Sequence, residues 1–153
     1  MTVQKPTYVV NVDCAVVRDG DYLLIERGAD ETHASGLLAL PGGTVEQPPG
    51  GRDTVETTAE RELREEVGLG VETVEYVTSG TFEADDGTRC LNVVTHCRGV
   101  SGEAHTQDST EVTAVHWLSP AALRAREDAP PYLSSSVAAV ERHRDHERGG
   151  RDE

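Results

Sequence analysis

Apolar residues in this chain fall into short groups, and the spacing within each group sets the element it predicts. Tyr8 to Val17 (YVVNVDCAVV) is β-rich and mostly apolar, the pattern of a buried strand. Arg18-Asp19-Gly20-Asp21 carries the residues of a tight turn, so Tyr22 to Glu26 (YLLIE) is expected to return along the first strand as a hairpin. Gly28 to Ser35 is a polar loop, and Gly36 to Leu40 a short strand that delivers the turn Pro41-Gly42-Gly43. Thr44-Val45-Glu46 continues extended, and the prolines and glycines of Gln47 to Arg52 leave no periodic element there.

From Thr54 the period lengthens to that of a helix. Val55, Ala59, Leu63 and Val67 span about 120° of its surface and form a buried stripe. Asp53 is placed as its N-cap, with Glu56 completing a capping-box pattern, and Gly68 suits a left-handed C-terminus. Beyond it, Val71 to Gly80, Cys90 to Arg98 and Val112 to Leu118 read as strands, the last with Trp117 in the core. Ser119-Pro120 opens a short helical segment ending near Arg126, and Ser134 to Arg144 forms the last helix. Strands surrounding two main helices in mixed order predict an α/β sandwich. Residues 1–147 are expected to form one domain, and 148–153 a disordered tail.

Charge changes this picture in one respect. The chain carries 28 acidic against 14 basic residues, a formal net charge of −14, and its one lysine is Lys5. That balance argues against a nucleic-acid backbone as partner, which wants clustered Lys and Arg. Dense carboxylates with little lysine are also what keeps a protein hydrated in a cytoplasm of high salt; an ordinary acidic protein is the plainer alternative. Cys14, Cys90 and Cys97 are odd in number and lack a Cys-x-x-Cys pair, which argues against a disulfide framework or a structural zinc site. His96 and Cys97, near Cys90, fit a strand filling a core better than a soft metal site. With no apolar run of signal-peptide or membrane-span length, a cytoplasmic location is expected.

The chemistry concentrates on the central helix. Glu62, Glu65 and Glu66 fall along one edge of its apolar stripe, and Glu66 projects into it. Carboxylates at i, i+3 and i+4 repel one another and gain nothing from ion pairing along the helix. A sequence that tolerates this beside its core is expected to neutralise it with a cation. Arg27, at the end of the second strand, is either a solvated charge or a cation aimed at a phosphate.

At these residues the chain resembles a known family. Arg61-Glu62-Leu63-Arg64-Glu65-Glu66-Val67-Gly68-Leu69 fits the last nine positions of the Nudix box, the signature of the Nudix hydrolases, and the seven-residue spacer Thr54 to Glu60 before it is intact. Two departures stand out: Asp53 replaces the glutamate ahead of the spacer, and nine residues rather than five separate it from Gly43. The extra four fall within Gln47 to Arg52, a lengthened loop.

The resemblance implies a Nudix-type α/β/α sandwich with a mixed sheet. It implies Mg²⁺ or Mn²⁺ held by Glu62, Glu65 and Glu66 with a backbone carbonyl from Gly42 or Gly43, hard oxygen ligands suited to such ions. Arg61 would orient the acidic cluster by ion pairing. Glu111 is the best match to an acidic residue that the family often places in a later loop, ahead of Asp108 and Glu83. The catalytic set is then Glu62, Glu65, Arg61 and Glu111, with either Glu62 or Glu111 as base, and Arg27 and Gly43 contact the substrate. The implied function is metal-dependent hydrolysis of the diphosphate linkage in a nucleoside diphosphate derivative, whether a nucleoside triphosphate or a nucleotide sugar or ADP-ribose type. The implied partner is a small-molecule nucleotide, with no nucleic acid and no membrane; a homodimer is compatible. Isopentenyl-diphosphate isomerisation would want a cysteine–glutamate pair in a larger domain. A catalytically inactive nucleotide-binding regulator is the alternative, although such loss usually shows as broken box carboxylates.

Overall fold

The structure is a computed structural model, and it describes residues 5–28, 36–107 and 110–151. Among these, the chain runs β1 (Val9–Ala15), β2 (Val17–Arg18), β3 (Asp21–Arg27), β4 (Leu38–Ala39), β5 (Gly42–Thr44), α1 (Thr54–Val67), β6 (Thr73–Glu83), β7 (Arg89–Arg98), β8 (Val112–Leu118), α2 (Pro120–Arg124) and α3 (Pro131–Arg151). One sheet has the order β5-β1-β7-β6; β1 pairs parallel with β7, and the other pairings are antiparallel. The second is centred on β3, which pairs antiparallel with β2, β4 and β8.

The expected hairpin of Tyr8–Val17 with Tyr22–Glu26 is not what forms. Both edges of β1 are already hydrogen-bonded, one to β5 and one to β7, so no edge remains for β3. The chain instead changes sheets at Val16, and only Val17 and Arg18 pair with β3.

Strand alternation then sorts the core into two layers. Val12, Cys14, Leu23 and Ile25 pack with Ala59, Leu63 and Val67 of α1. Ala15, Tyr22, Leu24 and Val94 pack with Leu123 of α2 and Leu133, Val137 and Val140 of α3. Helices on both faces of mixed strands make the α/β/α sandwich that the resemblance implied.

The ends of α1 differ in how well sequence foresaw them. Gly68 takes φ 71°, and its N–H reaches the Arg64 carbonyl at 3.1 Å while that of Leu69 reaches Leu63 at 3.2 Å, closing the helix as predicted. Asp53 does not cap it: the residue sits at φ 50° and its side chain accepts nothing from the first turn. Gln47 ties the lengthened loop down instead, donating to the Arg52 carbonyl at 2.9 Å and accepting from the Thr54 hydroxyl.

The last helix is longer than Ser134–Arg144. It begins at Pro131, where a missing N–H costs nothing, and continues to Arg151 through the pairs Glu141–Arg144, His143–Glu147 and Asp145–Arg148. The segment 148–151, assigned to the disordered tail, is therefore helical. Trp117 is half-buried rather than enclosed, with the Arg18 guanidinium 5.0 Å from its ring centre. Among the described residues no helix is long and apolar enough to cross a membrane.

Candidate functional site

The site is built where β5 meets α1. Gly42 and Gly43 lie on β5 against β1, and α1 crosses behind them with Glu62 and Glu66 on the facing side. The Gly42 N–H donates to Glu66 Oε1 at 3.2 Å. A Cβ on Gly43 would run into the Glu62 carboxylate, and one on Gly42 would strike the Val12 carbonyl. Glu62 thus fills the space beside Gly43, Glu66 accepts from the Gly42 N–H, and at Gly42 the β1 backbone leaves no room for a side chain.

Burial makes that arrangement costly without a counter-charge. Glu62 and Glu66 are 8% and 4% exposed. Burial, then the hydrogen bond and repulsion from Glu62, pushes the Glu66 carboxyl up to about 9. Glu62 is raised too, chiefly by burial, with Arg61 opposing. Both carboxyls are thus raised together, the behaviour of two carboxylates forced into one space.

Arg61 braces the cluster. Its Nη1 lies 3.0 Å from Glu62, 3.6 Å from Glu65 and 3.3 Å from Glu46, while Nη2 donates to the Thr44 carbonyl at 2.8 Å. Glu65 points more to solvent, its side chain 56% exposed. Glu111 also comes to this place: its charge helps raise Glu62, and its carbonyl accepts from the Gly28 N–H at 2.8 Å. Arg27, half-buried at the end of β3, acts electrostatically on Glu66. Glu83 is exposed at the β6–β7 hairpin, paired in register with Arg89. Asp108 lies outside the described residues.

Residues 7–139 match the family model for the NUDIX domain. The chain belongs to the Nudix hydrolase family. Its structure is similar to that of a MutT NUDIX hydrolase from Burkholderia pseudomallei, at 25% identity and a TM-score of 0.76 over 88% of this chain and 99% of that one. It also shares the fold of a MutT protein from Methanosarcina mazei Go1, at 22% identity and a TM-score of 0.76 over 94% and 99% of the two chains. A third likeness is to the NUDIX domain of Shewanella oneidensis NrtR, complexed with ADP ribose, at 21% identity and a TM-score of 0.69 over 90% of each chain. No curated protein matches the sequence. Family and fold together make this Nudix chain an enzyme of the pyrophosphohydrolase type.

Across β1 from the Nudix helix lies a polar patch that the sequence reading passed over. Asn11 Nδ2 donates to Asp13 Oδ1 at 3.1 Å and to Asn92 Oδ1 at 2.7 Å, and Asn92 Nδ2 donates to Asp13 Oδ2 at 2.9 Å. Burial pushes the Asp13 carboxyl up to about 6, against the pull of both amides and of Arg27. Arg27 and Asp13 also act on the phenol of Tyr132, 48% exposed at the start of α3. Arg27 therefore acts on both a Nudix carboxylate and this patch. The signal was present in the sequence: Asn11 and Asp13 are polar at i and i+2 within an otherwise apolar strand, on the face opposite Val12 and Cys14.

Proposed function

We propose that this protein hydrolyses the diphosphate linkage of a nucleoside diphosphate derivative, with Mg²⁺ or Mn²⁺ held by Glu62, Glu65, Glu66 and a backbone carbonyl of Gly42 or Gly43. The observation that carries the reading is the Glu62–Glu66 pair, buried beside Gly42 and Gly43 with both carboxyls held above their ordinary range. Oxygen donors crowded in this way fit a hard divalent cation, whose charge would offset theirs. When bound, the ion supplies positive charge against the diphosphate oxygens and acidifies water.

The chain's own residues do the rest. Arg61 keeps Glu62 and Glu65 from turning away from each other. Arg27 offsets charge on the phosphate nearer the nucleoside, and the half-buried Asn11–Asp13–Asn92 patch with Tyr132 beyond it would receive the nucleoside itself. Water attacks one phosphorus in line, the bond to the bridging oxygen breaks, and Glu62 or Glu111 takes the water's proton.

The experiment is nucleotide and phosphate release from a panel of nucleoside triphosphates, oxidised nucleotides, ADP-ribose, NADH and dinucleoside polyphosphates, with Mg²⁺ or Mn²⁺ and with EDTA. Turnover of one group that EDTA abolishes, and that the Glu65→Gln/Glu66→Gln variant lowers on the order of 10³-fold, supports the reading. A folded, active, Mg²⁺-dependent double variant would sink the metal assignment. Tight nucleotide binding without turnover would identify a regulator.

A further inference from the structure

A second constellation lies on the opposite face of the sheet from α1 and takes no part in the chemistry above. Glu75 of β6 and His96 of β7 are a cross-strand pair in register. His96 shares its face with Val94, which packs toward α3, whereas Cys97 packs toward α1. On α3, His143 and Glu147 stand one turn apart and meet that pair. His96 Nδ1 lies 3.6 Å from Glu75 Oε1, and His143 Nε2 lies 3.3 Å from Glu75 Oε1 and 3.3 Å from Glu147 Oε1. One donor atom from each of the four residues lies within 4.8 Å of all the others.

One of the four donors, the buried His96 imidazole, is left unsatisfied. The His96 side chain is only 8% exposed, yet its Nδ1 has no hydrogen-bond partner. A buried imidazole aimed at two carboxylates and a second imidazole, without a hydrogen bond of its own, is an incomplete arrangement.

We propose that Glu75, His96, His143 and Glu147 form a second metal site, for a borderline divalent ion such as Zn²⁺, that clamps the C-terminal half of α3 to β6 and β7. Two imidazole nitrogens and two carboxylate oxygens make a four-donor set that selects such ions over Mg²⁺, whose preference is oxygen and water. With all four positions filled by protein, the site is structural rather than catalytic. Arg98 holds the place of the cation. Its Nε lies 3.1 Å from Glu75 Oε1 and its Nη2 contacts Glu147, so one guanidinium now bridges both carboxylates. A cavity of about 340 Å³, lined by His96, Arg98, Arg144 and Glu147 among others, gives that side chain somewhere to go.

This arrangement separates a metal site from a plain ion-pair network, because the two predict opposite roles for Arg98. The test is titration of the whole protein with Co²⁺ under saturating Mg²⁺, followed by its visible absorption, which is intense for a four-coordinate nitrogen and oxygen shell and weak for six oxygens. One equivalent should bind, be displaced by Zn²⁺, and persist in Glu65→Gln/Glu66→Gln. His143→Ala and His96→Ala should each weaken it by at least about 100-fold, with circular dichroism checking the fold. Arg98→Ala should bind more tightly, and Zn²⁺ should raise the melting temperature of wild type and Arg98→Ala without raising that of His143→Ala. Either of two results would overturn the site: no absorption in wild type and Arg98→Ala alike, or an undiminished signal in a folded His143→Ala.

Discussion

Gly42 and Gly43 are neighbours that lack a side chain for unlike reasons. At Gly42 a methyl group meets backbone, the Val12 carbonyl, and β5 would have to leave β1. At Gly43 it meets the end of the flexible Glu62 side chain, which can swing away. Gly42→Ala should therefore cost about 1–3 kcal/mol, seen as a lower urea midpoint. Gly43→Ala should leave the midpoint near wild type and lower kcat on the order of 10²-fold by displacing a carboxylate. Glu66 adds a pH signature. Its folded-state value of about 9 lies above the ordinary 4.5, so between those values the native state holds a proton that the unfolded chain has lost. Stability in EDTA should fall as pH rises through that window. Glu66→Gln should flatten the slope, and Mg²⁺ titration near neutral pH should release protons, measurable calorimetrically in buffers of differing ionisation enthalpy.

At the scale of elements, α1 is held more firmly by its end than by its start. Gly68 is left-handed and has the His105 ring where a Cβ would stand, so Gly68→Ala should lower stability by at least about 1 kcal/mol in urea melts. Asp53, left-handed without a capping bond, should behave unlike an ordinary N-cap. Asp53→Gly should raise the midpoint slightly by relieving the backbone, where a true cap would lose stability. The capping box was read from a spacing that this loop does not honour, because Gln47 and the four added residues set its entry. The end was legible because a glycine after an apolar stripe has few other meanings.

For the whole molecule, a net charge of −14 on 153 residues makes self-repulsion the dominant long-range term. Melting temperature and turnover should both rise from dilute buffer to multimolar KCl if the surface is adapted to salt. A flat or falling melting curve would discard that reading and leave an ordinary acidic protein.

The local features of this protein were determined by its sequence: the α1 stripe, the edge of carboxylates beside it, the glycine turn before it and the strand Val112–Leu118. Each depends on spacing within about one element, which a single chain displays directly. What only tertiary structure decided were the meetings of distant residues. The chain changes sheets at Val16 because β5 and β7 occupy both edges of β1. Asn11 and Asp13 find Asn92 across the parallel pairing, and Glu75 and His96 find His143 and Glu147 one layer away. Such contacts follow from which edges and faces remain free once the core is packed, and no spacing along the chain records that.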